Sequence, residues 1–425
     1  MKFLHAADIH LDSALEGLER YEVAPVDLIR GATRRALEKL VALALTEQVD
    51  FVVISGDLYN GNWSDYNTGL FFVKQMDKLS SAGIQLYLIA GNHDAANIMT
   101  RSLRLPANKD GQSIMLSHEM AETRRLDDLG VAIHGRSFGN RAELQNMVPH
   151  YPQPVPHWFN IGMLHTSLSG SEEHDTYAPC TPTDLRSKGY DYWALGHIHK
   201  RTVVPEQTTA DLWTSGIYSG NIQGRHIREP GPRGCFVVTV DRQFQAQVKF
   251  HPLDVFRWEV VTLPCESFAK ARDIYGPLQD ELLALCNRNK GLPLGVRVEL
   301  TGATVAHRDL TSHRTAVTAE IRSLAARVSH EQIWVEQVKF RTREPLRQSE
   351  LSRTDGPLGE LEQYLEKLDR DPAAISPLID ELKDLAKKLP SELLQPPDGL
   401  LLDNPDWIRE VLQEVKPLLL DRLNG

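Results

Sequence analysis

The sequence predicts an α/β fold for residues 1–255, a smaller α+β domain for 256–345 and an acidic helical region for 346–425. Over the first hundred residues, short apolar runs alternate with segments whose apolar residues recur every three to four positions, which is typical of strands alternating with helices. A second alternation of this kind begins near residue 256, and the chain becomes acidic beyond Thr342. A chain of 425 residues has room for two to three domains of about 150 residues each.

The first strands and helices follow from the apolar pattern. A strand is predicted at Lys2 to Ala7, and the helical spacing of Arg30 to Gln48 indicates a helix with one buried face. Phe51 to Ile54 is continuously apolar, as expected for a strand in a sheet that helices cover on both faces. The same pattern predicts a helix at Asp65 to Ser81 and a strand at Ile84 to Ile89.

The rest of the first domain is predicted to consist mainly of strands. Short apolar runs predict strands at Ile114 to Leu116, Val131 to His134, Phe159 to Leu164 and Tyr192 to Leu195. A Gly-, Pro- and Arg-rich loop follows at Gly220 to Gly234. A β-hairpin of Cys235 to Val240 and Gln245 to Phe250 then closes the domain near residue 255.

The elements of the α+β domain and of the C-terminal region are predicted from the same periodic spacing of apolar residues. Three strands and two helices are predicted to alternate at Arg257 to Leu263, Glu266 to Asn289, Leu294 to Leu300, Thr311 to Val328 and Ile333 to Phe340. In the acidic region, leucine and isoleucine recur at helical spacing in three segments. The last helix has Asn404 as its predicted cap and Pro405 at its first position, and Pro417 is expected to bend it.

Composition excludes several classes of protein. The chain is 41% hydrophobic and 24% charged, and no apolar run approaches the roughly 18 residues of a membrane span. Charge interrupts the N-terminal apolar stretch, so no signal peptide is expected. The four cysteines are far apart and form no C-x-x-C pair, which favours neither a zinc site nor a disulfide framework. We therefore expect a cytoplasmic protein without membrane contact.

The negative net charge does not exclude a nucleic-acid partner. The formal net charge is -10, and a phosphate-binding protein usually presents a basic surface. From Glu350 to Gly425, however, 17 acidic residues stand against 9 basic ones, so residues 1–349 carry only about -2. Most of the excess acid therefore lies in the C-terminal region.

Polar groups follow five of the predicted strands at the point where each strand ends. These residues are Asp8, His10, Asp57, Asn92, His93, His165, His197 and His199. Taken alone, each short motif is as well explained by a turn or a buried histidine. In an α/β sheet, however, groups at the carboxyl ends of strands converge, and carboxylates with imidazoles and no cysteine favour divalent metals over a structural zinc. On extended chain His197 and His199 would point to opposite sides, so they would serve two metals, one each.

The ordered motifs resemble those of the calcineurin-like metallophosphoesterases. The matching segments are Ala7 to Leu11, Ser55 to Leu58, Gly91 to Asp94, Leu164 to Thr166 and Gly196 to His199. Within that superfamily the chain resembles the SbcD-like DNA repair exonucleases. This closer resemblance rests on the opening Phe3 to His10, on Gly135 to Phe138, on the loop Gly220 to Gly234 and on the domain after residue 255.

The resemblance implies a β-sandwich flanked by helices, with a small α+β cap domain and C-terminal helices. It implies two divalent metal ions, Mn²⁺ in the first instance, with Mg²⁺, Fe²⁺ or Zn²⁺ as alternatives. The implied ligands of one metal are Asp8, His10, Asp57 and His199, and those of the other are Asp57, Asn92, His165 and His197. His93 would donate a proton to the leaving oxygen or a hydrogen bond to the transition state. Better-described relatives carry a second histidine near Asn60, so Asp94 and Asp65 are the candidates for orienting His93.

The resemblance also implies a substrate and partners. The function implied is hydrolysis of DNA, as an exonuclease and also as an endonuclease, in DNA repair, with an SMC-type ABC ATPase as partner and a homodimer as the assembly. Arg225, His226 and Arg136 could contact DNA, or the first two could form a solvated turn while Arg136 braces the sheet. The C-terminal helices would dock on the ATPase or fold on their own domain. The rival functions are a small-molecule or cyclic-nucleotide phosphodiesterase and a non-catalytic scaffold.

Overall fold

The protein is represented by a computed structural model. It describes residues 1–15, 31–60, 66–95, 105–168, 177–204, 216–345, 357–370, 372–386, 388–389, 400–405, 407–409, 411–412 and 415. The chain divides into two compact units. The first comprises Met1–Val260, Cys286–Arg297 and Ser329–Glu336, and the second comprises Val261–Leu285, Val298–Val328 and Gln337–Gly425. The domain boundaries at residues 255 and 345 stay predictions.

Five strands form the first sheet, in the order β11-β10-β1-β2-β3. They are β1 (Lys2–Ala6), β2 (Phe51–Ser55), β3 (Gln85–Ile89), β10 (Gly234–Val240) and β11 (Ala246–Pro252). Strands β1, β2 and β3 are parallel, whereas β10 is antiparallel to both β1 and β11. The parallel strands are joined by α1 (Ala32–Thr46) and α2 (Tyr66–Ser81), as a parallel connection requires.

Six strands form the second sheet, in the order β4-β5-β6-β7-β9-β8. They are β4 (Glu122–Leu126), β5 (Val131–Gly135), β6 (Phe159–His165), β7 (Tyr192–Gly196), β8 (Thr202–Val204) and β9 (Gly216–Tyr218). The four central strands are parallel, and the two edge strands, β4 and β8, are antiparallel to their neighbours. Two short helices belong to this half of the unit, α3 (Asn92–Ala95) and α4 (Pro182–Ser187).

An apolar core lies between the two sheets. Phe3, Phe51 and Ile89 of the first sheet pack in one buried cluster with Ile133 and Phe159 of the second. The outer face of the first sheet is covered by α1 and α2, whose buried residues share a cluster with β1 and β2. Because apolar residues alternate between the two faces of a strand, each sheet can contribute to two cores. The predicted β-sandwich flanked by helices is therefore confirmed.

The α+β segment and the acidic region follow the predicted order with different bounds. The strands β12 (Arg257–Pro264), β13 (Leu294–Ala303) and β14 (Ile333–Arg343) form a three-stranded sheet. The helices are α5 (Tyr275–Arg288), α6 (His307–Ser312), α7 (Arg314–Ser329), α8 (Pro357–Arg370) and α9 (Pro372–Ala386). The Trp407 N–H donates to Asn404 Oδ1 at 3.1 Å, which is the predicted cap, whereas Pro417 lies outside the described residues. No described helix has the length and apolar composition needed to cross a membrane.

Several elements differ from the prediction. The expected helix from Glu266 begins with a 3₁₀ turn at Ala271–Ile274, and the expected helix from Thr311 is split in two at His313. The strand at Ile114 to Leu116 reduces to one isolated bridge between Leu88 and Met115. Edge strand β4 escaped prediction because its residues, Glu-Thr-Arg-Arg-Leu, have little apolar content, which an edge strand does not need.

Candidate metal centre

The predicted polar groups come from the ends of strands in both sheets. Asp8 and His10 follow β1, and Asp57 follows β2. Asn92 and His93 open α3 directly after β3 and Gly91. From the second sheet, β6 ends at His165, and His197 and His199 follow β7. All of these side chains except His93 and His199 are buried, so the site is a desolvated gap at the carboxyl ends of the strands.

The backbone at these strand ends has an unusual conformation. Four of the predicted ligands have positive φ values: Asp8 at 50°, His10 at 44°, Asp57 at 52° and His197 at 96°. Residues with a Cβ rarely adopt such values unless surrounding contacts hold them. Two of those contacts are backbone hydrogen bonds, from Asp8 N–H to Gly56 O and from His10 N–H to Asp57 O, each 3.0 Å long. The turns after β1 and β2 therefore hold each other in place.

Three oxygen atoms lie close to the nitrogens of the His165 ring, namely Ser55 O, Asn92 Oδ1 and Asp57 Oδ2. The His165 Nδ1–H donates to Ser55 O at 3.0 Å, so its Nε2 carries a lone pair. That Nε2 lies 3.0 Å from Asn92 Oδ1 and 3.5 Å from Asp57 Oδ2. Burial lowers the pKa of His165 to about 4, so the ring is neutral near pH 7. Rotating the Asn92 amide would place an N–H there, but the Asp57 carboxylate would still face the lone pair, an arrangement that suits a cation.

A second set of candidate ligands meets around His10. The ligand atoms of Asp8, His10 and His199 lie within 4.8 Å of one another. Asp8 also lies near the set around His165, because its ligand atom is within 4.8 Å of those of Asp57 and His165. His199 Nε2 lies 3.1 Å from His10 Nε2. The carboxylate of Asp8 also accepts the His197 N–H at 3.0 and 3.1 Å, which ties the end of β7 to the end of β1.

Asp57 lies between the two sets. Its Oδ2 is 3.8 Å from His10 Nε2 and 3.5 Å from His165 Nε2, while its Oδ1 accepts the His93 N–H at 3.0 Å. A carboxylate has two oxygens and can ligate two cations at once. Among the predicted ligands, Asp57 is thus placed to be shared.

Electrostatics also favour a bound cation. Burial, followed by the charge of Asp57, raises the pKa of Asp8 well above its usual range. Burial likewise raises the pKa of Asp57 to about 6. Burial, then the positive charge of Arg225, lowers the pKa of His10. Buried carboxylates next to neutral imidazoles form a region where a divalent cation would compensate the negative charge. The residues present therefore fit a divalent-metal site.

His93 and His197 are placed differently from the other histidines. The His93 ring lies 5.0 Å from the His10 ring between centroids, and its ligand atoms join those of His10 and Asp57 in a third group within 4.8 Å. The His197 ring lies 5.2 Å from that of His165 and belongs to none of the three groups. The rings of His197 and His199 contact different rings, but the prediction of extended backbone at this point was wrong, because His197 has a φ of 96°. A ligand role for His197 stays a prediction.

Asp94 braces the turns around His93. Its carboxylate accepts the backbone N–H groups of Leu58, Tyr59 and Gly91 at 2.9 to 3.1 Å. Burial, followed by the charge of Asp57, raises the pKa of Asp94 to about 7. The other candidate for orienting His93, Asp65, lies outside the described residues.

The positive charge of Arg141, which no sequence motif predicts, is one of the charges that act on His93. Burial lowers the pKa of His93, the charge of Asp57 opposes that effect, and the charges of Arg225 and Arg141 add to it. Arg141 is exposed, and one arginine in a loop carries no pattern that would single it out.

The predicted substrate-binding residues divide into two groups. Arg225 lies beside the candidate ligand His199, since Arg225 Nη2 is 3.1 Å from His199 Nδ1, and His226 is next to Arg225 in the chain. Both also approach Glu229, at 3.3 and 3.7 Å. Arg136 is half-buried, and its Nε donates to His118 O at 3.1 Å, a bracing contact. Glu229 was missed by the sequence analysis, where its only signal is an acid in an otherwise basic loop.

The predicted ligands need a glycine at position 91. A Cβ there would collide with Asp57 Oδ1 and would lie 2.7 and 2.8 Å from His165 Cε1 and Nε2. We expect Gly91→Ala to displace both side chains and weaken Mn²⁺ binding about 10- to 100-fold, measured by calorimetry. Gly276→Ala is the control, because no described residue beyond its chain neighbours and its own helix backbone has a heavy atom within 4 Å of the added Cβ. Wild-type Mn²⁺ affinity in folded Gly91→Ala would show that these side chains hold no metal.

Comparison with known proteins identifies the superfamily. Residues 1–201 match the family described as Calcineurin-like phosphoesterase, and residues 258–343 match that described as Metallophosphoesterase YhaO, middle domain. The chain is 34% identical over 305 residues to the uncharacterized metallophosphoesterase YhaO of Bacillus subtilis, covering 71% of this chain and 72% of that protein.

Two further relatives are more distant. The DNA double-strand break repair protein Mre11 of Methanopyrus kandleri is 24% identical over 278 residues, covering 59% of this chain and 56% of that protein. A component of the nuclease SbcCD of Staphylococcus epidermidis is 24% identical over 227 residues, covering 47% of this chain and 57% of that protein. These alignments span little more than half of each relative. The family matches, the extent of similarity to YhaO and the cluster of buried ligands together show that the chain belongs to the calcineurin-like metallophosphoesterases and is a metal-dependent phosphoesterase.

Proposed function

We propose that this chain is a two-metal phosphodiesterase that hydrolyses DNA, as an exonuclease and also as an endonuclease. The observation that carries the proposal is the position of Asp57, whose Oδ2 lies 3.8 Å from His10 Nε2 and 3.5 Å from His165 Nε2. Two cations sharing a carboxylate are typical of enzymes that cleave phosphodiester bonds. Mn²⁺ is the proposed metal, with Mg²⁺, Fe²⁺ and Zn²⁺ as alternatives.

The candidate ligands and His93 have different proposed roles. Asp8, His10 and His199 would hold one cation, Asn92, His165 and His197 the other, and Asp57 would be shared. When bound, the cations supply an activated water and neutralise charge on the phosphate. His93 is half-buried at the edge of the cluster, with its backbone N–H fixed by Asp57. From there its ring would donate a proton or a hydrogen bond to the leaving oxygen.

The DNA substrate is supported by the names of the distant relatives. Mre11 is named as a DNA double-strand break repair protein, and the Staphylococcus epidermidis relative is named as part of the nuclease SbcCD. By analogy we propose a role in DNA repair, an SMC-type ABC ATPase partner and a homodimer. A cytoplasmic location is consistent with four cysteines that form no disulfide. Arg225, held beside His199, is the proposed contact to a DNA phosphate.

One assay distinguishes a DNA nuclease from a phosphodiesterase that acts on small substrates. The purified chain is incubated with Mn²⁺ or Mg²⁺ and end-labelled double-stranded DNA, single-stranded DNA or a cyclic nucleotide, and the Asp57→Ala variant serves as the blank. We expect cleavage of DNA that depends on the metal and is absent from the blank. Cleavage of the cyclic nucleotide alone would rule out the DNA nuclease and favour a small-substrate phosphodiesterase. If the chain cleaves nothing in the presence of either metal, the scaffold alternative is favoured instead.

A further inference from the structure

A buried carboxylate that is not among the predicted ligands lies next to one of them. Glu229 is 5% exposed and sits in the loop between β9 and β10. Its Oε1 lies 2.7 Å from His199 Nδ1. Its Oε2 accepts the Asn221 side-chain N–H at 2.8 Å and the Arg225 backbone N–H at 2.7 Å. Both oxygens of Glu229 are therefore used within the site.

The contact with Glu229 determines how His199 can act. A carboxylate only accepts, so the 2.7 Å contact favours a proton on His199 Nδ1 over the longer 3.1 Å approach of the donor Arg225 Nη2 to the same nitrogen. In the neutral ring, Nε2 then carries the lone pair. That Nε2 is the atom that lies 3.1 Å from His10 Nε2, in the group with Asp8. A carboxylate bonded to a ligating imidazole fixes the tautomer and ring orientation and increases the basicity of the other nitrogen.

Glu229 also positions Arg225. Its Oε1 is 3.3 Å from Arg225 Nη2, and its Oε2 accepts the backbone N–H of the same residue. The guanidinium is thereby held against the His199 ring. Its charge offsets a small part of the effect of burial, which raises the pKa values of Asp8 and Asp57. One carboxylate thus organises both a candidate ligand and the nearest cationic side chain.

We propose that Glu229 is a positioning residue of this metal centre, which fixes His199 as an Nδ1–H imidazole and holds Arg225 beside it. The proposal rests on the proposed function only in taking His199 as a metal ligand. Arg225 and His226 of the Gly220 to Gly234 loop were predicted either to contact DNA or to form a solvated turn. If the proposal holds, this loop completes the metal centre from outside the five strand-end motifs.

The loop does not depend on Glu229 alone for its structure. Gln223 donates to Phe256 O at 2.6 Å and accepts the Val255 N–H at 2.9 Å. The Trp258 indole N–H donates to Gly224 O at 3.2 Å, and the Gly231 N–H donates to Trp258 O at 2.8 Å. Because these bonds anchor the loop on both sides of Glu229, a change at Glu229 should alter the site more than the fold.

The test compares two substitutions with a matched control. Glu229→Gln keeps the size and an acceptor oxygen but removes the charge, and Glu229→Ala removes both. The control is Glu336→Gln, since Glu336 is a similarly buried carboxylate that pairs with Arg297 at 2.8 and 2.9 Å. Calorimetry with Mn²⁺ should show affinity at one of two sites reduced about 10- to 100-fold in Glu229→Ala, less in Glu229→Gln, and unchanged in Glu336→Gln.

A second measurement does not need any variant at Glu229 to fold. ¹⁵N-histidine NMR of the metal-free wild-type chain, with the signal assigned by its loss in His199→Gln, should show His199 protonated at Nδ1. An Nε2–H tautomer, or wild-type Mn²⁺ affinity in both Glu229 variants, would overturn the proposal. Neither readout involves DNA. Loss of Mn²⁺ affinity in a chain that cleaves no DNA would therefore support Glu229 as a positioning residue while refuting the proposed function.

Discussion

Replacing Asp57 by alanine is expected to abolish phosphodiester hydrolysis and to weaken metal binding at both sites. Asp57 Oδ2 is the oxygen within 4 Å of both His10 and His165, so its removal takes a ligand from each set. Loss of metal-assisted charge stabilisation is worth several kcal/mol in the transition state, which corresponds to at least about 10³-fold in rate. Hydrolysis of labelled DNA and bound metal measured on the same sample check both parts.

Two further variants make the Asp57 result specific. Asp57→Asn keeps an oxygen for the His93 N–H but loses the charge, so it should keep the fold and show most of the loss. Asp191→Ala removes a carboxylate of the same unit that accepts the Asn160 N–H at 2.7 Å, away from the cluster, and should retain both metals. If Asp57→Ala lost only one metal, the shared-ligand assignment would be wrong.

Replacing His93 by alanine is expected to leave the metal content unchanged and to reduce hydrolysis about 10²- to 10⁴-fold, the usual contribution of a proton donor. The His93 backbone N–H, which is retained in the variant, makes the bond to Asp57. The metal ligands should therefore keep their places while the donor to the leaving oxygen is lost. Metal analysis together with the DNA assay measures both quantities.

The structure also defines the outcome that contradicts this role for His93. One of its ring nitrogens lies within 4.8 Å of a ligand atom of His10 and one of Asp57, as in a third metal-binding group. A folded His93→Ala protein that had lost one metal would show that His93 is a ligand rather than a proton donor. His93→Gln, which restores a side-chain N–H donor, should recover part of the activity only if donation is the role.

Much of the fold could be predicted because it depends on local pattern. The runs that form β1, β2, β3, β6 and β7 are apolar enough to be recognised without tertiary information, and all five are strands in the structure. The apolar pattern does not show that these strands belong to two different sheets. Strand pairing joins residues that are distant in sequence, as β1 pairs with β10. Edge strand β4 was missed since a strand with one neighbour needs little apolar surface. Edge strand β8 was missed because it has only three residues, too few to show a pattern.

By itself, the sequence determined which residues could form a metal centre, since strand-end carboxylates and imidazoles need only the local pattern and its order along the chain. Tertiary structure decided how they are used. The positive φ values of Asp8 and Asp57 persist only because neighbouring turns hold them. Glu229 reaches His199 across 30 positions because the loop closes onto it. Such contacts form only when folding brings together segments that are distant in sequence, so residue types and their local spacing do not reveal them.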